Sequence, residues 1–161
     1  MDLTPKRAAD SATEMVQVVL PNDANPLGFI LGGTVMHLID IAGAIACHRH
    51  SRTLLVTAAV DDLQFLHSIK VGDLIILRAR VTCAFTTSLE VQVDVFSEEI
   101  LTGARLLTST AFLTFVAIDR AGAKVPVPPL LTETDEERRV CEDARERREL
   151  RLKKRKLTTR P

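Results

Sequence analysis

The 161-residue chain contains no Trp and no Tyr, and six Phe are its only aromatic residues. Nucleic-acid platforms built on stacked Tyr or Trp are therefore not expected. Cysteine is scarce as well: Cys47, Cys83 and Cys141 are odd in number, far apart and form no C-x-x-C pair. That spacing argues against a zinc or dithiol redox motif and fits a reducing cytoplasm. Net charge is absent, with 21 Lys and Arg against 21 Asp and Glu, so no global field draws the chain to nucleic acid or to a membrane surface. No uncharged run reaches the roughly 18 residues of a membrane span. Residues 1–15 carry Asp2, Lys6, Arg7, Asp10 and Glu14 in place of an apolar centre, so no signal peptide is expected there.

What is present is enough hydrophobic material, 46% of residues, to build one domain of ordinary size. The charge is unevenly spread: residues 1–132 hold ten basic and thirteen acidic groups, and residues 133–161 hold eleven and eight. This divides the chain into a flexible segment over 1–14, a globular domain over 15–131 and a charged helix with a basic tail over 132–161.

Met15–Leu20 reads as a strand stopped by Pro21, followed by a turn-rich loop from Asn22 to Gly28. Thr34–His48 is apolar on nearly every side for about four turns, the pattern of a buried helix. Four segments with β-branched alternation follow, Leu54–Phe65, Asp73–Cys83, Ser88–Phe96 and Ala104–Asp119. The order predicts an α+β fold, an antiparallel sheet wrapped around one long helix. After Pro126, Pro128 and Pro129, a helix is expected from Thr132 or Thr134, acidic first and basic last as its dipole prefers. Its i, i+4 pairs are Arg138/Glu142, Asp143/Arg147 and Glu149/Lys153.

Within the apolar helix, Asp40 is hard to explain structurally. A buried carboxylate is costly, and His37, Gly43, Met36 and Ala44 at its helical neighbour positions supply no Lys or Arg. It is either a general base or nucleophile with a raised pKa, or a structural group paired with His37 or reaching the surface. Gly32 and Gly33 leave the first amides of the helix without side-chain cover, open to a carbonyl oxygen or oxyanion, though two glycines also simply make a tight loop. Asn25 offers a donor and an acceptor just before the helix, or serves only the turn. Gly33 and Asp40 are seven residues apart, roughly 10 Å along a helix. That is too far for one carbonyl, so the spacing predicts a homodimer with Asp40 of one chain facing the helix entrance of the other.

Asp23-Ala-Asn25-Pro-Leu-Gly28-Phe-Ile-Leu31-Gly32-Gly33, then Met36 and Asp40-Ile-Ala-Gly-Ala-Ile-Ala, resembles the signature of hotdog-fold acyl-CoA thioesterases of the YciA and brain acyl-CoA hydrolase type. Val56-Thr57, Val60-Asp61, Phe65, Ile69, Gly72-Asp73, Thr87-Ser88 and Glu90-Val91 extend it. The resemblance implies a hotdog fold with a sheet of five to six strands and a C-terminal helix. It implies hydrolysis of acyl-CoA to free acid and CoA, with no cofactor beyond the CoA of the substrate, and a homodimer assembling into a homohexamer, a trimer of dimers. Carried over by position, Asp40, Asn25, Gly33 and Thr34 are the catalytic set, and Gly32, Val56, Thr57, Phe65, Thr87 and Ser88 contact the CoA ester. The chain departs from the pattern at Ser68, where Pro is common, and at Phe85-Thr86, where Gly and a basic residue are common. Arg78, Arg80 or the basic tail is then left to meet the CoA phosphates. Two other readings share the fold: an enoyl-CoA hydratase using His37, although its usual His position is Ile45 here, and a non-catalytic acyl-CoA sensor. Cys47 is read as a core residue, and His48 and His50 as pointing to different sides of a basic helix end.

Overall fold

A computed structural model describes residues 2–158. The chain order is β1 (Lys6–Arg7), β2 (Thr13–Val18), α1 (Gly32–Ser51), β3 (Leu54–Asp61), β4 (Leu74–Ala84), β5 (Ser88–Glu98), β6 (Arg105–Ile118), β7 (Leu130–Leu131) and α2 (Asp135–Thr158). Five strands form an antiparallel sheet in the order β2-β4-β5-β6-β3, and β1 pairs in parallel with β7. This is the hotdog fold that the resemblance implies, with α1 as the filling.

Alternation sets the inner face of the sheet. Ile75, Leu77, Val91, Val93, Leu113 and Phe115 point to α1, whose Val35, Leu38, Ile39, Ala42 and Ala46 complete one dry core. The helix can approach this closely because residue 43 is Gly: a Cβ there would meet Val91 at 3.1 Å and Phe115 at 3.2 Å. Arg52, in the left-handed region at φ 55°, ends α1 by donating its N–H to the His48 carbonyl.

Several boundaries and environments differ from the sequence reading. The segment before residue 15 is folded onto the body: Lys6 donates its backbone N–H to Pro129, and β2 begins at Thr13. The helix starts at the two glycines and runs to Ser51. Strand β3 ends at Asp61 because Asp62 turns left-handed at φ 51°. Helix α1 is not buried all round: Gly33, Met36 and His37 are exposed and Asp40 half-buried, a stripe that the protomer leaves open. His48 is exposed and His50 fully buried, and Cys47 is a core residue whose thiol is pushed up by burial.

Helix α2 begins where expected, with Thr134 as its cap: Thr134 Oγ1 accepts from the Glu137 N–H at 3.1 Å, and Glu137 Oε2 accepts from the Thr134 N–H at 3.1 Å. Its basic residues do not all go where the i, i+4 reading put them. Arg138 bonds Asp135, and Arg147 leaves the helix to grip Glu90 on β5. Cys83 and Cys141, expected as separate thiols, are joined in a disulfide that pins α2 to β4. A register shift between Val81 and Cys83 breaks the alternation there, and Cys83 joins Cys141 and Ala144 in a small cluster of its own. Residues 159–161 of the expected tail, and Met1, lie outside the described residues.

Candidate active site

The loop before α1 is built on Asn25. Pro26 and Gly28 suit a tight turn closed by the Gly28 N–H on the Asn25 carbonyl at 3.0 Å, and Gly28 takes φ 81°. The Asn25 backbone N–H donates to Phe29, and its side-chain Oδ1 accepts from the N–H groups of Leu27 at 3.0 Å and Phe29 at 3.2 Å. With Oδ1 engaged by the loop, Nδ2 is the end presented outward. What Asn25 leaves unengaged is therefore a donor and not an acceptor.

Beside it, α1 starts without any side-chain cap, and the first intrahelical bond runs from Val35 N–H to Leu31. The N–H groups of Gly32, Gly33 and Thr34 precede that bond and are the free donors of the helix end. Asn25 and Gly32 line one cavity of about 430 Å³, with Phe29, Val35, Phe65 and Leu66 as apolar wall and Ser68, Thr108 and Ser109 as polar wall. Phe65 lies against Gly32, 3.5 Å from where a Cβ would be.

Asp40 sits elsewhere. Its Oδ1 accepts a 2.6 Å hydrogen bond from Thr57 Oγ1 on β3, which fixes the carboxylate against the sheet edge. His37 is exposed and makes no hydrogen bond to Asp40, so the His–carboxylate pair that a hydratase needs is not formed within the chain. Val56, Ser88 and Val116 form one cross-strand row, out of phase with the Thr57–Phe115–Leu89 row that faces α1 and so on the other face of the sheet, and the Thr87 carbonyl accepts from the Ala117 N–H at the β4–β5 turn. The ten residues singled out in the sequence therefore fall into two sets: Asn25, Gly32, Gly33, Thr34 and Phe65 at the helix entrance, and Asp40, Val56, Thr57, Thr87 and Ser88 at the β3 side. None of the second set lines the cavity of the first.

The basic residues considered for CoA phosphates are largely engaged. Arg78 pairs with Glu14 at 2.7 Å, Arg147 with the buried Glu90 at 2.8 Å and Arg151 with Asp61 at 2.5 Å. Sequence reasoning missed these last two contacts and the polar cavity wall at Thr108 and Ser109. The available signal was Glu90, a carboxylate within the apolar alternation of β5, which called for a cation from elsewhere in the chain. No helix among the described residues is long and apolar enough to cross a membrane.

Residues 27–104 match the thioesterase superfamily. The uncharacterized acyl-CoA thioester hydrolase YkhA of Bacillus subtilis is 44% identical over 119 residues, 74% of this chain and 69% of that protein. The human cytosolic acyl coenzyme A thioester hydrolase is 32% identical over 145 residues; they cover 89% of this chain but only 38% of the length of the human protein. Among solved structures, an apo-hexameric acyl-CoA thioesterase superposes with a TM-score of 0.89 at 41% identity, covering 94% of this chain and 97% of that one. With this sheet, this central helix and these relatives, the chain belongs to the thioesterase superfamily of hotdog fold.

Proposed function

We propose that the chain is an acyl-CoA thioester hydrolase whose site is completed between two copies. The observation that carries this reading is the split of the site residues into two sets within one protomer. The donors, Asn25 Nδ2 and the amides of Gly33 and Thr34, lack a base, and the carboxylate of Asp40 lacks facing donors.

The free edge supports the pairing. Within the sheet β3 bonds only to β6, and its Leu54, Val56 and Val60 are exposed, as is Met36 on α1. Antiparallel pairing of β3 with its copy covers these side chains and turns the exposed stripe of one α1 toward the other. In the joined site the helix-end amides and Asn25 hold the thioester oxygen as charge develops on it. Asp40, held by Thr57 at Oδ1, takes a proton from water through Oδ2. That water adds to the carbonyl carbon, the C–S bond breaks, Asp40 passes the proton it took to the departing sulfur, and free acid and CoA thiol leave. A carboxylate, an amide and backbone donors supply this chemistry, so the mechanism draws on no metal or redox cofactor.

Further assembly into a trimer of dimers is supported by the hexameric solved relative and by the exposed Ile100 and Leu101 at the β5–β6 turn. Work in the cytoplasm is supported by the cytosolic human relative, and there the Cys83–Cys141 disulfide meets the thiol reductants that would open it. Val56, Thr87 and Ser88 are proposed to face the CoA portion of the ester, although Val56 and Ser88 lie on the other face of the sheet from the Thr57 side chain that holds Asp40.

Thiol release over an acyl-CoA panel, on wild type, Asp40→Asn and Asn25→Ala, tests the reading. Each variant should lose about a hundredfold or more in kcat with its oligomer intact. Mixed and reassociated, the two dead variants should recover about a quarter of wild-type activity, because half of the random dimers then hold one intact site. No recovery in demonstrably mixed dimers places both residues in one chain's site and ends the shared-site mechanism. Near-normal hydrolysis by Asp40→Asn ends the assignment of the base.

A further inference from the structure

We infer that α2 is a redox-latched brace for the catalytic edge strand, and that Arg151 is a positioning residue acting through Asp61 on both halves of the site. The inference rests on the reading of Asp40 and Asn25 given above.

Asp61 is the last residue of β3, four residues after Thr57 and four before Phe65. Thr57 holds the Asp40 carboxylate and Phe65 packs on Gly32 at the helix entrance. Whatever fixes Asp61 thus fixes one support of the base and one support of the donor cavity. Within one protomer the strand bonds only to β6, its register shifts between Thr57 and Ala59, and at Asp62, past the last paired residue, the backbone turns left-handed. A bulge adjacent to Thr57 leaves that residue's position dependent on how the strand is anchored beyond it. The anchor is the Arg151 guanidinium, which donates to Asp61 Oδ2 at 2.5 Å with both side chains about one-fifth exposed.

Arg151 is in turn only as fixed as α2. That helix lies on the outer side of the sheet, and three of its contacts follow in order along its length. The Cys83–Cys141 disulfide pins its N-terminal part to β4. One turn and a half further on, Arg147 donates from Nε and a terminal nitrogen to the buried Glu90, which also accepts from Thr82 Oγ1, and stacks 3.8 Å over Phe112. Arg151, one turn further, reaches Asp61. The covalent contact comes first and can be opened without changing the sequence. A dithiol reductant exchanges with it: its two thiols become a disulfide, and Cys83 and Cys141 take up the two electrons and two protons as free thiols. Opening it frees the N-terminal part of α2 from its covalent tie to β4 and leaves non-covalent contacts, among them the Arg147 and Arg151 pairs and Arg148 over Phe85, to hold the helix.

The test compares oxidised wild type, wild type treated with dithiothreitol, Cys141→Ser, Arg151→Gln and Arg151→Lys, with Arg138→Gln as a control that breaks only exposed contacts at the start of α2, to Asp135 and to the Thr132 and Glu133 carbonyls. Thiol counting after denaturation confirms the state, one free thiol from Cys47 in the oxidised chain and three after reduction. Reduced wild type, Cys141→Ser and Arg151→Gln should each lose roughly tenfold in kcat with KM within about twofold, since a misplaced base slows the chemical step. Arg151→Lys should recover most of the loss, Cys141→Ser should be indifferent to dithiothreitol, and Arg138→Gln should match wild type. If the disulfide only adds stability, its reduction would lower the melting temperature and leave kcat unchanged, which would overturn the latch. Hydrogen exchange of the β3 amides, read on the same samples, should quicken on reduction and in Arg151→Gln whether or not any acyl-CoA is turned over. Unchanged β3 exchange overturns the brace. Unchanged kcat in Arg151→Gln and in the reduced enzyme, with Asp40→Asn still inactive, overturns its catalytic consequence while leaving the proposed reaction standing. Loss of thiol release from the whole panel by oxidised wild type is the separate failure of the proposed reaction.

Discussion

The two helices sit on opposite faces of one sheet and are held by opposite kinds of force. Helix α1 is packed by aliphatic side chains and Phe115 on the inner face, with Gly43 allowing the close approach. Helix α2, far more charged, is held on the outer face by a disulfide, a buried carboxylate–guanidinium pair and a second ion pair. Burial of apolar area is insensitive to salt and redox state, whereas ion pairs and disulfides are not. The chain therefore rests its fold on one face and leaves the other adjustable.

The largest expected effect is on the inner face. Phe115→Ala should cost about 3–5 kcal/mol, seen as a lower denaturation midpoint, with the loss independent of salt and reductant. A loss below about 1 kcal/mol would show that the α1 face is not the main source of stability.

On the outer face, Glu90→Gln leaves Thr82 and Arg147 a neutral partner. Charge-assisted bonds are worth about 1.5–3 kcal/mol, part of which the amide keeps, so the expected cost is about 1–2 kcal/mol. Unlike that of Phe115→Ala, it should be accompanied by faster proteolysis within α2. Equal protection of α2 in both proteins would remove the distinction between the faces.

The smallest effect concerns His50, at the C-terminal end of α1. Its Nε2 donates to the Pro128 carbonyl at 2.9 Å and its buried Nδ1 has no hydrogen-bond partner among the described residues. Burial is the main cause that holds its pKa below the usual imidazole value, outweighing the bond to Pro128. The unfolded chain therefore binds this proton at a higher pH than the folded one. Stability is complete above the ordinary imidazole pKa, near 6.5, and falls as pH drops from there toward the lowered folded value, at no more than about 1.4 kcal/mol per pH unit. Denaturation of wild type and His50→Gln between pH 7.5 and 5 checks this, with the variant showing the shallower slope. Parallel slopes would mean that other groups carry the acid sensitivity.

Much of the fold was legible before any coordinates. The period of two in β4, β5 and β6, the apolar run of α1 and the acid-to-base polarity of α2 are local patterns. Backbone geometry turns them directly into elements. Asn25, Gly32, Gly33 and Asp40 were legible because each conflicts with its surroundings: a polar loop among apolar neighbours, an uncapped helix end, a carboxylate in an apolar run. What misled was treating apolar composition around α1 as burial in the protomer, when the stripe through Met36 and Asp40 is open. The pairing of cysteines was hidden for a similar reason, since Cys83 reaches Cys141 only because a bulge interrupts the strand alternation.

By itself the sequence determined the elements, their order, the class of fold and the polar groups that a core would not tolerate, because periodicity and capping act over a few residues. Only the tertiary structure decided which of those groups meet. Thr57 finds Asp40 across 17 residues, Arg147 finds Glu90 across 57 and Arg151 finds Asp61 across 90. Nothing local encodes such pairings. They follow from the sheet order and from the face on which each helix is laid, and these same two facts separate the site residues into two sets that a single protomer does not join.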